Sequence, residues 1–301
     1  MYIARARLIH YARFYKGPHR VTADALQAYA FGLSDVGKRR ERNEDCFKII
    51  PDLHLFLVAD GMGGHAGGAT ASKLAVETIE NIVREHRHVL DAQMGEESST
   101  ASNMAANLLS DAMRGACHRV YLESMADVSL HGMGTTATAL LVHGDHAYVA
   151  HVGDSRCYLL RNNEILQLTE DHSLVNEQMK AGLITAEQAR QSRFRNIITR
   201  SIGFEHDVDV DMAALQIYTN DAFLLCTDGL TTLVTDEEIK SVMAENYLNA
   251  VPQSLVDLAN HRGGDDNITA IIVYVEQVLN SEENIGLKRI VFGVEDSDKT
   301  R

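Results

Sequence analysis

The chain has 301 residues, of which 45% are hydrophobic, 23% are charged and only 3 are proline. This composition is typical of a globular protein with a substantial core and excludes disordered, fibrous and low-complexity classes. A formal charge of −14, from 28 basic and 42 acidic residues, argues against nucleic acid and anionic lipid as main partners.

Residues 1–27 are predicted to form a separate basic and aromatic arm. The first 23 residues contain arginines and a lysine but no acidic residue, with tyrosine and phenylalanine interleaved. Two interpretations remain open: a loosely docked tail, and an arm that binds a partner or a membrane surface. The main domain is expected at 28–276, followed by a tail at 277–301 with a short strand at 288–294.

The first half of the domain has the pattern of a strand meander followed by two helices. Apolar residues recur at helical spacing from Leu74 to Leu90 and again from Leu108 to Val120. The polar segment 94–102 between these helices is expected to be a connection. Short apolar runs bounded by turn residues predict strands at 29–36, 46–50 and 53–59.

The second half returns to a period of two. Turn signals at Gly144-Asp145, Gly153-Asp154 and Asn162-Asn163 separate apolar runs and predict hairpins. The polar excursion from Asp171 to Arg200 is expected to be partly helical and functional. Strands are predicted at 135–143, 147–152, 156–161, 165–168, 208–217, 222–227 and 268–275, with helices at 236–245 and 252–262.

The predicted order is strands, a helix pair, strands, a second helix pair and a final strand. Such segregation favours an antiparallel α+β domain over a regular βαβ alternation. We therefore expect two packed antiparallel β-sheets flanked by helix pairs, a four-layer α-β-β-α sandwich.

The cysteines and the apolar runs indicate the cellular compartment. No apolar run is long enough to span a membrane, and the N-terminus lacks the apolar block of a secretory signal. The four cysteines have no CxxC pair, which argues against a zinc knuckle or a disulfide framework. A cytoplasmic protein is expected, with reduced thiols on core strands and helices at Cys46, Cys117, Cys157 and Cys226.

Acidic residues recur where the predicted strands begin or end. Gathered at one mouth of a sheet, several carboxylates repel and raise one another's pKa, and hard divalent cations relieve that repulsion. Oxygen ligands favour Mg²⁺ or Mn²⁺ over zinc or copper, and two such ions can activate a water for attack on a phosphoryl group. The acidic positions are Asn43-Glu44-Asp45, Asp60, Asp154, Asp228 and Asp265-Asp266.

Eight motif blocks occur in order along residues 28–276. The blocks are Gly32–Asp45, Asp60–His65, Gly132–Thr136, Val152–Arg156, Leu168–Ser173, Thr199–Gly203, Thr227–Leu230 and Asp265–Thr269. In this order they resemble the bacterial form of the metal-dependent serine/threonine phosphatases of the protein phosphatase 2C type.

The resemblance implies hydrolysis of phosphoserine or phosphothreonine by metal-activated water at a centre of two Mn²⁺ or Mg²⁺ ions. By position, Asp60 is expected to bridge both ions and the Gly61 carbonyl to bind the first. Asp228 and Asp266 are expected to bind the second ion. Asp154, together with Asp228, matches the pair that holds a third, weaker metal.

The remaining site residues are also implied by the resemblance. Asp45 and Glu44 are expected to hold metal-bound waters. Arg40 matches the arginine that binds the substrate phosphate, a task suited to its bidentate guanidinium. Two roles remain open for His65: protonation of the leaving oxygen, or ordering of a metal-bound water.

The segment around 173–196 corresponds to a flap that influences substrate choice. His172, just before it, is expected to shape the loop. Two interpretations remain open for Arg190, Arg193 and Arg195, which either contact an acidic phosphopeptide or form a solvated helix face.

The resemblance also implies phosphorylated proteins as substrates and a serine/threonine kinase as a partner, and a monomer is expected. Two other functions remain open. One is a non-catalytic module that binds a phosphoprotein. The other is a metal-dependent hydrolase of small phosphates or nucleotides.

Overall fold

The protein is described by a computed structural model that covers residues 26–63, 67–91 and 98–277. The strands in these ranges are β1 (Leu26–Asp35), β2 (Cys46–Ile50), β3 (Leu55–Ala59), β4 (Gly61–Met62), β5 (Gly134–Thr135), β6 (Ala137–His143), β7 (His146–Val152), β8 (Arg156–Arg161), β9 (Glu164–Gln167), β10 (Asp211–Gln216), β11 (Ala222–Cys226) and β12 (Ile268–Gln277). The α-helices are α1 (Gly67–Glu85), α2 (Arg87–Asp91), α3 (Ser98–Ala126), α4 (Leu174–Lys180), α5 (Ala186–Gln191), α6 (Asp228–Thr231), α7 (Asp236–Glu245) and α8 (Val251–His261). Short 3₁₀ helices span Pro51–Leu53, Val128–Leu130 and Leu248–Ala250.

Two five-stranded sheets form the centre of the molecule. Sheet A has the order β1-β12-β11-β8-β9, and sheet B has the order β10-β7-β6-β3-β2. Neighbouring strands in both sheets are antiparallel. The predicted α+β fold with two antiparallel sheets is confirmed.

Three apolar interfaces hold four layers together. Between the sheets, Phe56 and Val58 of β3 belong to one cluster with Phe223 of β11. The alternate residues of β3 pack with α1 and α3 on the outer face of sheet B, and α7 and α8 cover sheet A. Because both faces of the central strands are buried, the run Leu55–Ala59 is apolar throughout. Each large side chain buried in this way contributes about 1.5–3 kcal/mol.

The turn at Gly153-Asp154 is not the predicted hairpin. β7 belongs to sheet B and β8 to sheet A, so residues 153–155 carry the chain from one sheet to the other. Gly153 has a φ of +114°, and a Cβ there would lie 2.5 Å from Thr136 Cγ2. A Gly-Asp pair is equally compatible with a hairpin turn. The burial of Asp154 and Ser155 distinguishes this crossover from an exposed hairpin turn. The predicted hairpins at 144–145 and 162–163 are confirmed.

The other differences from the predicted elements concern their ends. The predicted connection 94–102 is wrong at its end, since α3 begins at Ser98 and packs against α1 further along. The predicted strand 53–59 starts only at Leu55, because a 3₁₀ turn precedes it and ends at His54 with a φ of +48°. The predicted strand 135–143 is interrupted at Thr136, and the strand 208–217 is reduced to β10. The 288–294 strand and residues 1–25 of the arm lie outside the described residues.

The long strands β1 and β12 pair along their whole length. Leu26 lies opposite Gln277 at one end of this ladder, and Asp35 lies opposite Ile268 at the other. All four cysteines are free thiols, as predicted, and Cys117, Cys157 and Cys226 are buried. Within the described ranges, none of the helices has the length and apolar character that a membrane span requires.

Candidate metal centre

The acidic strand ends meet at one end of the sandwich. They surround an open cleft of about 890 Å³. Asp45 lies beside this cleft. Its side chain accepts hydrogen bonds from Thr227, directly before Asp228, and from Thr269, directly after Ile268. The cleft is lined by Arg40, Glu44, Asp60, Gly61, Asp154, Asp228 and Asp266, among other residues.

The main chain of Asp60 is fixed by two buried threonines. Its N–H donates to Thr136 Oγ1 at 2.9 Å. Its carbonyl accepts from Thr135 Oγ1 and from the Thr136 N–H, both at 2.8 Å. These bonds explain the interruption of the predicted strand at Thr136. They hold Asp60 at the end of β3.

The residue after Asp60 must be glycine. A Cβ on Gly61 would lie 2.1 Å from the Gly68 carbonyl oxygen and 2.5 Å from the Glu44 carbonyl oxygen. The first turn of α1 and the Glu44 backbone therefore approach the Asp60–Gly61 segment closely. This close approach brings Glu44 to the cleft wall.

Two further threonines, which sequence reasoning missed, position Asp45. Asp45 Oδ2 accepts from Thr227 Oγ1 at 2.8 Å and from Thr269 Oγ1 at 2.6 Å. Each threonine lies within a motif block that holds a predicted site residue, Thr227 directly before Asp228 and Thr269 three residues after Asp266. This adjacency in the motifs was the only sequence signal for their role.

Asn267 connects the loop before β2 with the start of β12. Its Oδ1 accepts from the Glu44 N–H at 2.8 Å, and its Nδ2 donates to the carbonyls of Val36 and Arg42. The side chain is almost completely buried. Asn267 thereby fixes the position of the loop that carries Arg40 and Glu44.

Among the residues that the structure describes, three central carboxylates each have one oxygen without a hydrogen-bond partner. These are the Oδ1 atoms of Asp45, Asp154 and Asp228, all buried. A buried polar atom left unpaired costs about 1–3 kcal/mol. Native proteins normally satisfy such atoms with a protein group or a water molecule, and a bound ion is one explanation where neither is present.

Burial and mutual repulsion raise the pKa of the four central carboxyls. Burial raises the pKa of Asp45 to about 7, although the bonds from Thr269 and Thr227 act in the opposite direction. The pKa of Asp60 lies well above its usual value, first through burial and then through the charge of Asp45. The pKa values of Asp154 and Asp228 are raised by burial and then by a neighbouring aspartate.

Arg40 and Asp266 form an ion pair at the cleft. Arg40 Nη2 donates to Asp266 Oδ2 at 2.7 Å, and the arginine side chain is 52% exposed. Arg39 lies 3.8 Å from Asp265, and both side chains are more exposed. Asp266 and Arg40 therefore belong to the cleft, whereas Asp265 and Arg39 lie outside its lining.

The flap begins and ends beside the crossover between the sheets. His172 Nδ1 accepts from the Gly153 N–H at 3.0 Å, and the His172 carbonyl accepts from the Thr199 N–H at 2.8 Å. His172 Nε2 also lies 3.1 Å from Asp211 Oδ2. These contacts agree with a loop-shaping role for His172. Burial lowers the pKa of His172, while its bond with Asp211 acts in the opposite direction.

Several of the predicted residues are not brought to the cleft. Arg190, Arg193 and Arg195 are exposed and are not part of the cleft lining. Arg193 lies over the ring of its neighbour Phe194, at 4.6 Å from the centroid. This placement favours a solvated face over a phosphopeptide contact. His65 lies outside the described residues.

The donor set fits a hard divalent cation. The clustered acidic side chains offer only oxygen ligands, three of their oxygens have no partner among the described residues, and an added positive charge would lower their raised pKa values. As the side chains stand in the described ranges, no three acidic, histidine or cysteine groups form a complete ligand cage. Arg40 neutralises one of the carboxylates instead.

A sequence model of the family described as Protein phosphatase 2C matches residues 38–260. The chain belongs to the protein phosphatase 2C family. It is 36% identical to the serine/threonine phosphatase stp of Listeria welshimeri over 244 residues, which are 80% of this chain and 93% of the relative.

Solved structures of similar proteins agree with this assignment. The Mycobacterium tuberculosis serine/threonine phosphatase PstP/Ppp superposes with a TM-score of 0.71 at 32% identity, covering 84% of this chain and 100% of that one. The catalytic domain of PstP in complex with two manganese ions has a TM-score of 0.72 at 31% identity, with the same coverage.

The chain is therefore a metal-dependent serine/threonine protein phosphatase, a hydrolase of phosphoric monoesters that uses Mn²⁺ or Mg²⁺. Its substrates are phosphorylated proteins. The predicted reaction class and metal dependence are confirmed. The names of the relatives favour this activity over a non-catalytic module or a hydrolase of small phosphates.

Proposed function

We propose that the acidic cluster at the cleft holds the metal ions of this phosphatase. The three buried carboxylate oxygens without a partner carry the proposal, because cations would satisfy them and stabilise the ionised carboxylates. In this proposal Asp60, the Gly61 carbonyl, Asp228 and Asp266 would hold two ions. Asp154 and Asp228 hold a third, weaker ion.

The bound ions would supply a water of lowered pKa and stabilise negative charge on the phosphoryl group. The chain's own groups position the reactants. Asp45 has only Oδ1 free, since Oδ2 accepts from two threonines, so it can hold one water molecule in a fixed direction. Glu44 is proposed to hold water from the cleft wall.

Arg40 is proposed to bind the substrate phosphate. Its present partner, Asp266, is itself a proposed metal ligand, and the half-exposed arginine can exchange this partner without leaving a buried charge. A guanidinium presents two parallel N–H donors that match two phosphate oxygens. His65 keeps its two predicted roles, as an acid for the leaving oxygen or as a group that orders water.

We further propose that residues 28–276 form the catalytic unit, between the arm 1–27 and the tail 277–301. The phosphatase acts in the cytoplasm as a monomer and opposes a serine/threonine kinase. The four free thiols support a reducing compartment. A kinase is the class of enzyme that produces the phosphorylated residues consumed here.

The test measures phosphate release from a phosphothreonine peptide with Mn²⁺, with Mg²⁺ and with chelator. Release is expected only with metal, and Asp60→Asn is expected to lower it by more than about a hundredfold. Asp265→Asn is the matched control, because this exposed aspartate lies outside the cleft lining and should retain activity.

Metal titration by calorimetry gives a second readout, in which Asp60→Asn binds fewer ions or binds them more weakly. Full activity of Asp60→Asn, or release in the presence of chelator, contradicts the proposed ligand set.

A further inference from the structure

We propose that residues 204–209 form an outer wall of the cleft that selects phosphorylated segments with basic residues beside the phosphoserine or phosphothreonine. This inference rests on the proposed function of the cleft. Phe204, Glu205, Asp207 and Asp209 line the same cleft as Asp154, whose side chain is more than nine-tenths buried and has an unpartnered oxygen. The outer wall therefore borders the path to the reacting phosphate.

The outer wall carries an unbalanced negative charge. Glu205, Asp207 and Asp209 are exposed, and none of them has an ion-pair partner among the residues that the structure describes. Arg200 also lines the cleft, but its Nη1 donates to Asp211 Oδ1 at 2.6 Å. Since Asp211 matches the charge of Arg200, three carboxylates remain to attract a cationic partner.

The outer wall is fixed in position by α3. The Gly203 N–H donates to Cys117 Sγ at 3.4 Å, and this thiol donates to the Glu205 carbonyl at 3.2 Å. Gly203 has a φ of +90°, and a Cβ there would lie 2.2 Å from Val120 Cγ1. The wall is thus anchored to the sandwich through α3.

The residues just before the outer wall are hydrogen-bonded to the segment that holds Asp60. Ile202 and Thr135 exchange backbone hydrogen bonds at 3.0 and 2.8 Å. Thr135 in turn holds the Asp60 carbonyl. The distance between the outer wall and the reacting phosphate is therefore set by a short chain of hydrogen bonds.

Phe204 adds an apolar contact next to the carboxylates. Its side chain is 71% exposed at the cleft, which is unusual for a large aromatic residue. An aromatic face suits the aliphatic stem and the cationic end group of arginine or lysine. The combination of a ring with three carboxylates favours a basic side chain over an acidic or a small polar one.

Acidic residues beside the phosphate would instead meet like charges. Exposed charge pairs each change affinity modestly, and salt screens them within about 8–10 Å. Three such pairs predict a preference of about tenfold in kcat/KM for basic over acidic flanks at low salt. The preference should decrease as the salt concentration rises.

The experiment compares two phosphothreonine peptides of equal length, one with arginine and one with glutamate on both sides, in the presence of Mn²⁺. The measured quantity is the ratio of their kcat/KM values. Wild type is expected to favour the arginine peptide about tenfold at low salt and much less at about 0.5 M NaCl. The variant Glu205→Gln, Asp207→Asn, Asp209→Asn is expected to bring the ratio close to one.

The matched control carries Glu85→Gln, Glu164→Gln and Glu245→Gln. These exposed residues lie outside the cleft lining, and their replacement changes the net charge by the same amount. The control should keep the wild-type ratio. Asp207→Asn retains the oxygen that accepts the Val208 N–H, so the wall should keep its conformation.

Equal kcat/KM values for the two peptides in wild type, or an unchanged ratio in the outer-wall variant, overturn the proposal. A control that loses the preference also overturns it, since the effect is then one of net charge. Failure to release phosphate from either peptide contradicts the proposed function instead. In that event, fluorescence anisotropy of both labelled peptides still tests the outer wall, because equal affinities overturn it.

Discussion

Two clusters of charged residues lie next to each other in the sandwich and are stabilised differently. In the ion-pair cluster, Arg156 donates to both oxygens of Asp171, at 2.8 and 2.6 Å, and to Tyr158 Oη at 2.9 Å. In the carboxylate cluster, Asp154 and Asp228 each have an unpartnered oxygen. The charges of the first cluster are paired within the chain, whereas we propose that those of the second are paired by a cation from outside.

This difference indicates which buried charges serve the framework and which serve the reaction. Buried ions are tolerated when they are paired and hydrogen-bonded, and otherwise their pKa shifts until they are neutral. Asp60, Asp154 and Asp228 have raised pKa values, and all three belong to the carboxylate cluster, where function is proposed.

The largest expected effect on stability comes from breaking the ion-pair cluster. Arg156→Met leaves Asp171 with an uncompensated charge, and the free energy of unfolding is expected to fall by about 3–5 kcal/mol. Urea unfolding with saturating Mn²⁺ measures the loss. The control is Arg84→Met, which removes an arginine paired with Asp52 and Glu80 at the surface. That change should cost less than about 1 kcal/mol. Similar losses in both variants would contradict the contrast between the two clusters.

A somewhat smaller effect on the free energy of unfolding is expected from the carboxylate cluster when chelator removes metal. The pKa of Asp45 is about 7 in the folded protein, against about 3.9 in the unfolded chain. Between these two pH values the folded protein keeps the Asp45 proton, whereas the unfolded chain has lost it. With chelator present, the free energy of unfolding should therefore decrease as pH rises from about 4 to 7. Asp45 alone contributes on the order of 3 kcal/mol to this decrease.

Urea unfolding of wild type and Asp45→Asn at several pH values isolates this contribution. Glu238 has the opposite shift, since Arg262 lowers its pKa to about 2, so its contribution to stability rises with pH until the unfolded carboxyl has titrated at about 4.3. This contribution is the same in wild type and variant and cancels in the comparison. The wild-type curve should fall more steeply with pH than that of the variant. Parallel curves would show that Asp45 does not hold a proton in the folded protein.

The smallest effect concerns a neutral group that supports the carboxylates. Thr136→Val keeps the shape of a fully buried side chain but removes the acceptor of the Asp60 N–H and the bond to Ser155. The expected cost in urea unfolding is about 1–3 kcal/mol, with a loss of activity because Asp60 is less firmly positioned. Thr78→Val is the control, since the Thr78 hydroxyl donates to the Leu74 carbonyl within α1 and Thr78 is not part of the cleft lining. Thr78→Val should leave activity unchanged. An equal loss of activity in Thr78→Val would contradict a specific role for Thr136.

The sequence was most informative where a short apolar run ends in an acidic residue. Runs such as 53–59 and 222–227 are typical of buried strands, so Asp60 and Asp228 were expected at strand ends. The arrangement of strands in two sheets also followed from the order of apolar patterns. These features depend on local residue types and spacing.

Other features depend on contacts between residues that are far apart in the chain. The bonds of Asp45 to Thr227 and Thr269 span 182 and 224 positions, and no local pattern indicates them. The crossover at Gly153 resembles a hairpin turn because the same residue types suit both. The N-terminal extension of α3 to Ser98 likewise ran against the turn-like composition of that segment.

The ladder between β1 and β12 has a practical consequence for attaching other molecules to this enzyme. Its Asp35–Ile268 end adjoins Gly37 and Asp266 at the cleft, and its Leu26–Gln277 end lies nine residue steps away. At about 3.4 Å per residue, this separation is about 30 Å. A fusion partner, surface linker or fluorophore coupled beyond either Leu26 or Gln277 is therefore joined to the folded domain at a point remote from the reacting phosphate.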